Sequence, residues 1–138
     1  MTRSKHPTIV LLFLWTLVLS LQAQQNNDDE TLRVFIFAGQ SNMVGSDSKV
    51  KDIKRFPPFE GLGAPQSKVL FSYCIGRQNK MRSNGWVALE HVNNVVGPEL
   101  SFARKVTQHI KAPIAIIKCA AGGTHLGGDW NPDEPIGF

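Results

Sequence analysis

An excess of charge of one sign is missing from this 138-residue sequence: 15 basic residues face 11 acidic ones, a formal charge of +4. So small an excess argues against a nucleic-acid partner. The densest basic run, Lys49-Val50-Lys51-Asp52-Ile53-Lys54-Arg55, meets no aromatic residue until Phe56. It reads as a solvated loop or helix face. A membrane-length apolar run is missing too. Ile9 to Leu21, broken only by Thr16 and Ser20, spans about 13 residues, short of the roughly 20 that cross a bilayer. With Arg3 and Lys5 before it and Leu21-Gln22-Ala23 after it, residues 1–23 have the pattern of a cleaved secretory signal peptide. The alternative is an uncleaved membrane anchor. No cysteine lies near the cut, which disfavours lipid attachment there. Cleavage removes Arg3 and Lys5 and leaves 13 basic against 11 acidic residues, a charge of +2. A secreted or periplasmic location follows, with no membrane partner after cleavage; oligomeric state is not legible. Cysteine is limited to Cys74 and Cys119, each in or at the end of an apolar run ("VLFSYC", "IAIIKCA"). Export permits a bridge between them, and two buried free thiols are the other reading. Internal repeats and low-complexity segments are absent.

What remains, about 115 residues, is enough for one small core. Residues 24–31 are polar and acidic, a flexible lead-in. Arg33 to Ala38 is apolar and β-rich, ends at Gly39 and predicts a buried strand. Residues 49–66 hold Pro57, Pro58, Gly61, Gly63 and Pro65 and predict a long surface loop. Val69 to Ile75 is a second strand, Arg77 to Gly85 a polar stretch, and Trp86 to Leu89 a short extended piece. Gly97-Pro98-Glu99 opens a helix, since Pro and Glu suit a first turn. Leu100, Ala103, Val106, Thr107 and Ile110 form one stripe, Lys111 closes the last turn, and Pro113 forbids continuation. Ile114 to Ala120 is a third strand, running into Gly122-Gly123-Thr124. A continuous apolar strand after a helix suggests a parallel α/β sheet. Three strands and one good helix leave a face of that sheet bare, and the sequence ends at Gly137-Phe138, in a loop after the third strand.

In open α/β sheets ligands sit beyond the carboxyl ends of the strands. Ser41 lies three residues past the first strand, in "VFIFAGQSNMVG". A serine there can act as nucleophile while its backbone N–H stabilises an oxyanion. The other reading is a helix N-cap, with Gln40 and Asn42 as turn residues. The Gly-x-Ser-x-Gly elbow is not met, because Met43 holds its last place. Gly97 and Gly122-Gly123-Thr124 fall at the same rim, where each alone reads as backbone punctuation.

Together, "FIFAGQSNMVG", "VGPELSFARKV" and "IKCAAGGTHLGGDWNP" resemble successive blocks of the sialate O-acetylesterase-like domain. This is a branch of the SGNH (GDSL-like) hydrolases that includes the acetylxylan esterases of carbohydrate esterase family six. "GWVAL", Gly85 to Leu89, resembles a Trp-containing segment the family carries between its first and second blocks. The likeness covers about Leu32 to Pro132, so 32–138 is the domain it implies. It implies a flavodoxin-like three-layer sandwich with a parallel sheet, incomplete at its C-terminal side. It implies Ser41 as the acyl-accepting nucleophile, with the N–H groups of Ser41 and Gly97 in the oxyanion hole. Gln40, Asn42, Gly122, Gly123 and Thr124 become pocket residues, and an acetylated carbohydrate, of sialic-acid or xylan type, becomes the substrate. No cofactor is implied.

The family's Asp-x-x-His pair and its Gln-Gly-Glu block are absent from this sequence. A serine nucleophile needs a base and a group that orients it. His91 follows Glu90 ahead of the helix, and His109 is expected in the helix's last turn. His125, nearest the rim, is the one local candidate. His125, Asp129 and Asp133 are spaced by four, but in a Gly- and Pro-rich loop that spacing predicts solvent exposure rather than a metal site. Two functions therefore stand: an N-terminal part of a secreted carbohydrate esterase, poor or inactive by itself, and an inactive truncated domain that at most binds acetylated glycans.

Overall fold

The computed structural model describes residues 31–134. The expected signal peptide, most of the lead-in and the last four residues lie outside the described residues. Strand β1 (Arg33–Gly39) leads into a four-residue helix α1 (Ser41–Val44). Strand β2 (Gln66–Ile75) follows a long connection, then β3 (Met81–Arg82), β4 (Val87–Leu89), helix α2 (Pro98–Val106) and β5 (Ile114–Ala120). The β-branched and aromatic residues of β1, β2 and β5 suit a pleated, packed surface. The order across the sheet is β1-β5-β2-β3, with β4 also pairing with β2.

The sheet is mixed rather than wholly parallel. β5 pairs in parallel with β1 and with β2, whereas β3 and β4 run antiparallel to β2. Connection length explains the difference. Residues 76–80 link β2 to β3, too short for the crossover a parallel neighbour needs. The helical segment α2–β5 supplies what that needs, so β5 inserts parallel between β1 and β2.

Phe35 and Phe37 of β1 share the covered face with Ile116 and Lys118 of β5 and with Phe71 and Tyr73 of β2. Phe102 of α2 packs edge-on against Phe35 and Phe37, at centroid distances of 4.8 and 5.2 Å. Leu62, Val69, Phe71, Leu89, Leu100, Ala103, Ile114 and Ile116 form the buried core beneath α2. The opposite face carries exposed Val34, Ile36, Leu70 and Ile117, so β1, expected as a buried strand, is among the described residues an edge strand without a fully buried residue. Among the described residues helices cover one face only, so two layers are seen and not the three of the expected sandwich.

Helix α2 ends at Val106, about a turn before the expected Lys111. Thr107 turns its hydroxyl back onto the carbonyls of Ala103 (2.9 Å) and Arg104 (3.3 Å). His109 donates its N–H to Val106, a tight i to i+3 bond, so His109 follows the helix instead of closing it. The stretch expected as a surface loop is more structured than its prolines suggest. It forms 3-10 turns at Val50–Arg55 and Pro57–Phe59, then sends Leu62 into the core. Arg104 of α2 fastens it, donating to the carbonyls of Glu60 (2.6 Å) and Pro58 (2.7 Å). Cys74 and Cys119 sit opposite each other in the β2–β5 register as thiols, not a disulfide. Burial, with Cys74 beside it, raises the pKa of Cys119.

Because Leu62 is only 2 % exposed, Leu62→Ala is expected to lose about 2–5 kcal/mol of stability. Leu126→Ala, at a residue 84 % exposed, is expected to stay within about 0.5 kcal/mol of the parent. Urea unfolding midpoints compare the two; equal midpoints would contradict the anchoring role of Leu62.

Candidate active site

The carboxyl ends of β1 and β5 are adjacent, with Gly39 paired to Ala120 and the Ala121 N–H donated to the Gly39 carbonyl at 3.1 Å. Chain leaving β1 therefore lies beside chain leaving β5. Ser41 and Gly122 meet there: a β-carbon added at Gly122 would lie 3.9 Å from the Ser41 β-carbon. Gln40 is the N-cap of α1, without a side-chain capping bond, and Ser41 is the first helical residue. The N-cap alternative for Ser41 thus fails, and its N–H is one of those a helix start leaves without an intrahelical partner. Its hydroxyl donates to Gln40 Oε1 at 3.2 Å, in an exposed contact.

Helix α1 ends at Gly45 in the left-handed region (φ 85°). A β-carbon there would stand 2.5 Å from the Val96 carbonyl oxygen and 2.9 Å from the Gly97 α-carbon. Only glycine allows this contact, which brings Gly97 to the Ser41 end of the sheet. Asn42 and Gly97 line one cleft of about 550 Å³, together with Lys49, Arg55, Phe56 and Phe59. Gln40 and Thr124 line a smaller one of about 380 Å³, with Leu126 and Trp130. Ser41 stands between the residues that open onto the two.

The Thr124 hydroxyl is engaged internally. It donates to the Ala121 carbonyl (2.8 Å) and accepts from the Trp130 indole (2.9 Å), so it shapes the wall of the smaller cleft. Gly123 presents its carbonyl to Arg77, at 2.9 Å. Arg77 also pairs with Asp129 at 2.6 Å, and Asp129 accepts from the His125 backbone N–H and faces His125 Nδ1, both at 2.9 Å. Asp129 is thus not the solvent-facing residue its spacing suggested: its side chain is 10 % exposed. The His125 N–H, then Arg77, hold its carboxyl below the usual carboxylate range. The His125 side chain is 80 % exposed, and Asp133 is exposed. His91 is half-buried with an unpartnered Nδ1, and His109 is exposed beyond α2. None of the three is hydrogen-bonded to Ser41 among the described residues. No group of three or more potential ligands is gathered for a metal among them.

One pair at the site escaped sequence reasoning. Lys118 Nζ lies 2.7 Å from Glu99 Oε2, and both side chains are 1 % exposed. Lys118 also reaches the Val44 carbonyl, at 3.4 Å. Burial lowers the Lys118 pKa, and the charge and hydrogen bond of Glu99 oppose that shift. The available signal was Lys118 itself, the one charge in the apolar run Ile114–Ala120, since a lysine is almost never fully buried unpaired.

The family model for carbohydrate esterase, sialic acid-specific acetylesterase, matches residues 31–136. An X-ray structure, at 1.6 Å, of a protein from Arabidopsis thaliana is similar, with 26 % identity and a TM-score of 0.50. The match covers 75 % of this chain and 46 % of that one, so the chain spans about half the length of the solved relative. No curated protein matches significantly.

The depressed pKa of Asp129 gives the rim loop a pH dependence. A carboxyl held low in the fold stabilises it fully above the ordinary value, about 3.9, and loses that contribution as pH falls through its folded value. Trp130, bonded into the same loop, is expected to change fluorescence below about pH 4, and Asp129→Asn is expected to abolish that step. An identical acid transition in both proteins would separate Asp129 from the loop's order.

Proposed function

Since the chain belongs to the carbohydrate esterase family described as sialic acid-specific acetylesterase, we propose that it is the Ser41-bearing part of a secreted or periplasmic serine esterase that removes acetyl groups from carbohydrate hydroxyls. The observation that carries this reading is the position of Ser41: first residue of α1, beside Gly122 at the carboxyl ends of parallel strands, with its neighbours Gln40 and Asn42 each lining a cleft. The signal-like pattern of residues 1–23 supports export.

In this reading Ser41 Oγ attacks the acetyl carbonyl carbon while a base takes its proton. The carbonyl electron pair moves onto oxygen, and that oxyanion accepts hydrogen bonds from the Ser41 and Gly97 N–H groups. Collapse breaks the bond to the sugar oxygen, which takes the proton back from the base and leaves as the free hydroxyl, with acetyl left on Ser41. Water then attacks the acetyl-serine by the same route and releases acetate. Gln40, already bonded to Ser41 Oγ, orients the hydroxyl. The larger cleft, with the Phe56 and Phe59 rings and the charges of Lys49 and Arg55, suits a sugar ring; the smaller suits the acetyl methyl. Asp-x-x-His, the base and orienter that the resemblance implies, has no match among these residues, which supports a base supplied by a further part of the enzyme. A glycan-binding domain without turnover is the competing reading; it is favoured by His125, the nearest histidine to the rim, being largely solvent-exposed.

Ser41→Ala, in the protein carrying its remaining blocks, is expected to abolish hydrolysis of p-nitrophenyl acetate with an unchanged circular dichroism spectrum; near-parental turnover would end the nucleophile assignment. The 138-residue chain alone is expected to retain at most the residual acceleration that an oxyanion hole and binding give, roughly a thousandfold or more over water. A turnover of about ten per second, ordinary for an enzyme, with a cooperative melt would instead mean that a base lies within these residues, and His125→Ala would identify it. Phe56→Ala is expected to raise KM for an acetylated sugar while leaving that for an aryl acetate unchanged.

A further inference from the structure

Lys118 lies on the central strand of the three parallel ones, paired with Phe37 on one side and Tyr73 on the other. Its ammonium projects to the helix-covered face and ends where three segments converge. One is the last carbonyl of α1, at Val44. The second is the first turn of α2, through Glu99. The third is Gly97, whose missing β-carbon would collide with both the Glu99 carboxylate and the Lys118 ammonium. Ser41 begins the same four-residue helix that Val44 ends.

We propose that the buried Glu99–Lys118 pair is the positioning device of this site, setting Gly97 against the helix that carries Ser41. The inference rests on the reading of Gly97 and Ser41 as oxyanion donors, and deepens it. Stability alone does not account for such a pair. Two desolvated charges of this kind are commonly replaced by apolar residues of similar volume with no loss of stability, or with a gain. An apolar pair, however, offers nothing to the Val44 carbonyl and nothing directional beneath Gly97. The ammonium supplies donors that fix α1 relative to β5. The carboxylate, in the first turn of α2, is favoured by the helix dipole and sets where α2 begins after Gly97. A donor displaced by a fraction of an ångström no longer matches a developing oxyanion.

The test separates position from stability. Single substitutions strand a buried charge and destabilise by themselves, so the informative variant is the double one, Glu99→Leu with Lys118→Met. It is expected to melt at or above the parent temperature while the Gly97 and Ser41 amide resonances shift or broaden in 1H–15N spectra. In the active enzyme kcat is expected to fall about a hundredfold, the order seen on loss of one oxyanion donor, with KM for the aryl acetate unchanged. A double variant with parental amide resonances and parental kcat would overturn the proposal. The unaltered protein gives a second, mutation-free reading: slowly exchanging Lys118 ammonium protons with nuclear Overhauser contacts to the Gly97 α-protons are expected, and their absence would equally overturn it. The amide readings do not depend on turnover. A protein without Ser41-dependent activity would remove the esterase reading while leaving the positioning test intact.

Discussion

The parallel pairing of β1 with β5, in register from Arg33 opposite Ile114 to Gly39 opposite Ala120, is the constraint on which the site depends. Parallel strands end together, so the residues that follow each emerge at one edge, where an α/β sheet offers a crevice. The register also decides the faces. A slip of one residue would turn Phe35 and Phe37 away from Phe102 and strip α2 of its partners. The same slip would part Ser41 from Gly122. Core packing and site geometry are therefore two readings of one set of backbone hydrogen bonds.

Charge enters this rim in two ways, with different physics. Arg77 and Asp129 meet at the surface of the loop after β5, with the guanidinium about half exposed. Water screens such a contact, and its worth lies in tying together backbone that has little else to hold it, through the Gly123 carbonyl and the His125 N–H. Glu99 and Lys118 are cut off from water. There geometry must be good or the desolvation is uncompensated, which makes the pair a rigid reference point and not a flexible clasp.

Much of this was legible in the sequence where one local signal dominated. Ile114 to Ala120 is apolar, follows Pro113 and precedes Gly122, and it forms the strand at those bounds. The opening of α2 at Pro98 was equally plain. Legibility failed where tertiary contacts overrode local chemistry. The prolines of residues 57–65 mark breaks in regular structure but do not reveal that Leu62 is swallowed by the core. The stripe through Ile110 suggested a longer helix than the Thr107 hydroxyl permits. β3 was hidden in a polar stretch because it is two residues held by an edge pairing. At the site, Ser41, Gly97 and Gly122 to Thr124 stood out only through the resemblance of their segments to family blocks; taken singly, the glycines read as backbone punctuation and the serine equally as a helix cap. Asp129 and Lys118 did not stand out, since their roles depend on partners 52 and 19 positions away.

That last separation has a consequence for how such a chain changes over generations. Glu99 and Lys118 sit in different elements, yet neither can be replaced alone without leaving the other as an unanswered charge in the interior. A single replacement is therefore strongly disfavoured where a paired one is not, and Gly97, pressed against both side chains, is held to them by shape.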